Sequence, residues 1–200
     1  LSLNIGGTPV QATYDSVNST PTSLKFSYTI LPGQTDVNGI AINANSLSLN
    51  GKVLTDTAGN TPTLNFSAVT DNANYLVDTT APTVMSISSS RSTFLSGETA
   101  LITFTFSEDP GSSFAWNGTT GDVVVTQGTL SAISGTGLTR PAVYTPFADT
   151  PLVAASITLP AGSYTDAKYN AGVAGTSPTL NVNTFKNAIY LDDIANNIGG

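Results

Sequence analysis

The chain has 200 residues, enough for one large or two small domains, and 40% of them are apolar, enough for packed cores. Only 10% are charged, with Asp+Glu at 13 against Lys+Arg at 6 and a net charge of −7; so few bases argue against nucleic acid or an anionic membrane as partner and leave divalent cations open. With no His and no Cys, Ser-His-Asp and Cys-His catalysis and disulfide staples are excluded within the chain, zinc, copper and haem are disfavoured, and a hard-cation site of acids and carbonyls remains.

In chain order, Leu1–Ile5 reads as a strand with Gly6-Gly7 as its turn, and Val10–Tyr14 as a second strand. Ser23–Ile30 alternates cleanly, with Leu24, Phe26, Tyr28 and Ile30 on the inward face and Lys25 on the wet one. The loop Pro32–Gly39 carries Asp36 and Asn38. A short strand at Ile40–Ile42 follows, then an Asn50-Gly51 turn, a loop Asp56-Thr57-Ala58-Gly59-Asn60, and a closing strand Thr63–Val69. Tyr75–Pro82 is read as a taut connector, because Pro82 fixes its own φ and biases Ala81 towards extended geometry.

The second half repeats the plan. Strands are expected at Thr83–Ser88, Ala100–Ser107, Val123–Thr126, Leu130–Ile133, Ala142–Phe147, Ser156–Leu159 and Thr179–Thr184. Arg91–Glu98 and Glu108–Gly111 read as loops, and Asp166–Asn170 echoes the Asp56–Asn60 loop. Helical periodicity is nearly absent, so the chain is all-β, a pair of tandem sandwiches. The expected division is 1–77 as the C-terminal part of one sandwich, 78–185 as a complete one, and 186–200 as a leader with one helical turn around Ile189–Ala195. No run approaches the ~20 apolar residues of a membrane span, and no leader peptide is visible at Leu1. The abrupt start inside an alternating stretch reads as a cut within a longer protein.

Several motifs carry a resemblance. They are Leu24–Ile30, Leu49-Asn50-Gly51, Asp56–Asn60, Val77-Asp78-Thr79-Thr80-Ala81-Pro82, Ile102–Glu108 and Tyr164-Thr165-Asp166. Together they resemble the tandem bacterial immunoglobulin-like repeats of giant secreted adhesins, the calcium-binding extender domains exported by type I secretion. The resemblance runs over Leu1–Phe185 and implies a non-enzymatic structural extender on the bacterial cell surface, in adhesion and biofilm proteins. It implies Ca²⁺ as the ligand at the joint. Its partners would be neighbouring repeats or other protomers, with glycans reached only through the parent protein. Two departures stand out. The first half lacks counterparts of Thr83–Ser107, so its sandwich is incomplete unless a neighbouring chain donates strands. Lys168-Tyr169 also replaces the Ala58-Gly59 pair of the matching loop.

In such a sandwich the loops gather at two ends. So placed, Asp78, Glu108 and Asp166 come together as candidate metal ligands, with Asp36, Asp109 and Asp122 as further candidates. Asp56 should hold the equivalent place in the first domain. Each of these acids could equally serve as a local turn cap. Trp116 is a candidate sugar platform, although packing over the end of the sandwich is its simpler role. Glu98 and Glu108 are expected at opposite ends, too far apart for a glycosidase pair. Two competing readings are a filament subunit completed by strand donation and a carbohydrate-binding module.

Overall fold

The computed structural model describes residues 1–186; the helical turn read over 189–195 and the leader beyond Lys186 lie outside them. Every regular element among the described residues is a strand. The chain divides into two units, the first Leu1–Thr80 and the second opening at Ala81.

In the first unit β1 (Ser2–Ile5) turns through Gly6-Gly7 into β2 (Thr8–Gln11). Both glycines take positive φ, 55° and 84°, the two left-handed positions that a tight hairpin turn requires. β3 (Thr13–Thr20) pairs with β4 (Ser23–Ser27) as a separate two-stranded ribbon. β5 (Thr35–Asp36) pairs with β7 (Val77–Asp78), and β6 (Ala41–Ile42) adds to the free side of β1.

Four expectations for this half are corrected. The long strand Ser23–Ile30 stops at Ser27. Its inward face is not buried: Leu24 is 39% exposed, and Phe26, Tyr28 and Ile30 are half-buried. The face has the right period, but no full sheet lies opposite it among the described residues. Thr63–Val69 forms no ladder, only a single bridge between Val69 and Ile42. Val10–Tyr14 breaks at Ala12, and the hairpin arm Thr13–Thr20 has too many polar residues to read as a strand.

The second unit is a packed sandwich. One sheet runs β12-β13-β10-β8, built from Gly128–Leu130, Thr139–Pro146, Ala100–Phe106 and Val84–Ser89. A second ladder joins β11 (Val124–Val125), β15 (Ile157–Leu159) and β16 (Gly175–Thr176). A third joins β14 (Val153–Ala155), β17 (Leu180–Val182) and β9 (Thr93–Phe94), the last pair being parallel. The strand at Thr93–Phe94 corrects the expected Arg91–Glu98 loop, and Phe94 is its anchor in the core.

β10 explains the packing. Its residues alternate between buried and more exposed positions, with Ile102, Phe104 and Phe106 at 1% exposure or less. Phe104 and Phe106 meet Phe114, and Phe106 meets Tyr164, edge to face at centroid distances of 4.9–5.3 Å. That geometry sets the positive edge of one ring against the negative face of the next, worth about 0.5–1.5 kcal/mol per pair beyond area burial. Tyr144, fully buried, donates its hydroxyl to the Thr126 and Gln127 carbonyls at 3.1 and 3.0 Å. Burial pushes that phenol up to about 12.

Candidate metal centre

The approach to the site is built by backbone bonds. Val77 and Asp78 pair with Asp36 and Thr35. Thr79 accepts a bond from the Gly33 amide at 2.8 Å and donates to the Gln34 carbonyl at 2.9 Å. Three residues further on, the Pro82 carbonyl accepts both the Val173 amide at 3.0 Å and the Tyr164 hydroxyl at 3.2 Å.

Asp166 opens a tight loop. Its carboxylate accepts the Lys168 amide at 2.7 Å, the Asn170 amide at 2.9 Å and the Asn170 side-chain amide at 2.7 Å. Burial raises its pKa, and these bonds to the ionised form outweigh burial, so the group titrates below its ordinary value. Asp56 repeats the arrangement with the Ala58 and Asn60 amides and the Asn60 side chain, each at 2.9 Å, but is exposed. The loop needs a left-handed residue at its fourth position. Gly59 supplies φ 86°, and Tyr169 is forced to φ 66°. The replacement of Ala58-Gly59 by Lys168-Tyr169 thus leaves the turn intact at the expense of strain.

Half-buried Glu108 follows the end of β10, and Asp78 caps the Thr80 amide at 3.0 Å. One carboxylate oxygen each from Asp78, Glu108 and Asp166 lie within 4.8 Å of one another. Two oxygens bound to a single Ca²⁺ at about 2.3–2.6 Å are at most about 5 Å apart. The donor set, three hard carboxylates, suits that ion.

The other acids named from the sequence lie elsewhere. Asp36, 3% exposed, accepts the Gly6, Gly39 and Asn38 amides at 2.8, 2.8 and 3.2 Å and staples the first unit. The Gly6 bond leads in lowering its pKa. Asp109 pairs with Arg140 at 2.8 Å and caps the Gly111 amide. Asp122 accepts the Ala115 amide at 2.6 Å, and burial pushes its pKa up. Glu98 is engaged by Arg91 and by the Leu95 amide. Trp116 donates its indole N–H to the Leu130 carbonyl at 3.2 Å and packs against the core.

Arg140 was not singled out from the sequence. It is 4% exposed, on the inward face of β13, and bonds the Gly135 and Gly111 carbonyls as well as Asp109. The signal was present: Arg140 has the same parity as Ala142 and Tyr144 along an alternating strand.

A family model described as a bacterial Ig-like domain matches residues 78–186. The match covers more than half of the chain and includes all three clustered acids, so the chain belongs to this family of bacterial Ig-like domains. Such domains are typically structural rather than enzymatic and commonly extracellular or at the cell surface. No curated protein and no solved structure matches the chain. Among the described residues, no helix is long and apolar enough to cross a membrane.

Proposed function

We propose that the chain is an extender segment of a bacterial surface adhesin, stiffened by Ca²⁺ held by Asp78, Glu108 and Asp166. One observation carries the reading: three carboxylates from distant points in the sequence have oxygens within 4.8 Å of one another. Three like charges so close repel, and a divalent cation offsets that repulsion better than any hydrogen bond. Asp78 opens the matched Ig-like domain, and Glu108 and Asp166 lie in its loops, so an ion held by all three would tie the start of that domain to its loops. The segment then acts as a spacer and performs no chemistry. Secretion and a role in adhesion follow from the same reading.

Calorimetry tests it. Titrating Ca²⁺ into the chain should give saturable binding, slow amide exchange at Val77–Ala81 and raise the melting temperature. Asp166→Asn or Glu108→Gln should weaken binding at least tenfold, whereas Asp56→Asn should leave it unchanged. No heat and no change in exchange would refute calcium as the stiffener.

A further inference from the structure

The second unit holds a cavity of about 600 Å³ between the loop that follows Asp109 and the turn that leads into β13. Its size is that of small-molecule sites, and like them it joins apolar walls to a few polar groups. Phe114, Trp116 and Ile133 supply the apolar part. The Trp116 ring is fixed in place: its indole N–H bonds the Leu130 carbonyl at 3.2 Å, and its own carbonyl accepts the Ile133 amide at 3.0 Å. With that N–H engaged, the ring offers the cavity carbon alone. Thr120 and Thr136 also line the cavity and are exposed, so it opens to solvent.

The polar part is Asp109 with Arg140, 2.8 Å apart. Asp109 takes the Arg140 Nη2 hydrogen and the Gly111 amide on the same oxygen, Oδ1. Its Oδ2 accepts no bond among the described residues, and the side chain is 50% exposed. Arg140 uses three of its five N–H hydrogens, one on Nη1 and both on Nη2. One hydrogen on Nη1 and that on Nε remain, and Nε is buried without a partner among the described residues. Buried donors lacking an acceptor are rare in folded proteins, and one beside a cavity points to an oxygen that enters it.

The paired charges select the ligand. A carboxylate or phosphate would gain Arg140 but meet the open Asp109 oxygen, and an amine would meet the reverse. Hydroxyls suit both, because they accept from a guanidinium and donate to a carboxylate. We propose that this cavity binds a neutral pyranose. Of two hydroxyls on adjacent ring carbons, one accepts from Arg140 and the other donates to Asp109 Oδ2. The C–H face of the sugar rests on Trp116, its slightly positive hydrogens against the negative face of the indole. The site lies wholly within the second unit and does not rest on the calcium reading.

The test uses the whole chain in EGTA, with Trp116, its single tryptophan, as the reporter. Methyl glycosides of glucose, galactose, mannose and N-acetylglucosamine are titrated separately. At least one should shift the fluorescence saturably with a Kd of about 1 mM, the order expected for a ligand of roughly a dozen heavy atoms. Thr136→Tyr, an exposed change on the cavity rim, should abolish the response. Asp109→Asn keeps an oxygen for Arg140 but sets an amide donor in place of Oδ2. It should weaken the neutral sugar about tenfold and strengthen methyl glucuronide, whose carboxylate then meets no negative charge. Three outcomes would each overturn the proposal: no saturable response to any of the four sugars, an equal response in Thr136→Tyr, or a wild-type chain that prefers the glucuronide.

Discussion

Replacing Asp166 by alanine removes one carboxylate that accepts three hydrogen bonds at a site 6% exposed. The Lys168 and Asn170 amides lose their acceptor, and the Asn170 side chain loses its anchor. A buried N–H without a partner costs about 1–3 kcal/mol. Lys168 is exposed and can recruit water, whereas Asn170 is half-buried, so the sum is about 3 kcal/mol. Asp56→Ala removes the same three bonds, but from an exposed loop where water replaces them, so the cost is much smaller. Trp116 is the single tryptophan of the chain and packs on the second unit's core, so its fluorescence follows that unit alone. In EGTA, with an m-value of about 1.5 kcal/mol/M, Asp166→Ala should lower the urea midpoint of that transition by about 2 M. Asp56→Ala should leave it unmoved while speeding exchange at the Ala58 and Asn60 amides. A shift below about 0.5 M for Asp166→Ala would show that burial does not magnify the loss, and the reasoning would fail.

Tyr169 is 88% exposed and held at φ 66°. Tyr169→Gly should therefore stabilise the second unit by about 0.5–1 kcal/mol, the relieved strain exceeding the extra freedom of glycine in the unfolded chain; Tyr169→Ala, which keeps the strain, should not. Acid titration gives a further check. Asp166 and Glu98 both titrate below their ordinary values, 3.8 and 4.5, so the stability they contribute is full above those values and is lost as pH falls through their folded ones. Asp122, pushed up by burial, opposes this. Lowering pH from 5 to about 2 should weaken the wild type, and Asp166→Asn should flatten that slope; an unchanged slope would refute the assignment.

How much was legible from sequence depended on whether a signal was local. β10 was readable because both its faces are declared by period two in Ala100–Phe106. The Asp166 loop was readable because an aspartate with an asparagine four residues later closes a turn on itself. The grouping of Asp78, Glu108 and Asp166 followed from the up-and-down order of strands. Asp36, Asp109 and Asp122 are the same residue type in similar loops, yet each is spent on nearby backbone or on Arg140. Nothing local separates the two fates, because the choice depends on which amide or guanidinium arrives from elsewhere in the fold.

By itself, then, the amino-acid order determined the all-β class, the turns, the internal repeat and the parity of each strand, since these depend on neighbours one to four residues away. Tertiary structure alone decided which parities became core. Leu24–Ile30 and Ala100–Phe106 carry the same alternating pattern, but among the described residues only the second closes on an opposing layer and goes dry. Burial is a property of what lies opposite, and a strand does not encode its own cover.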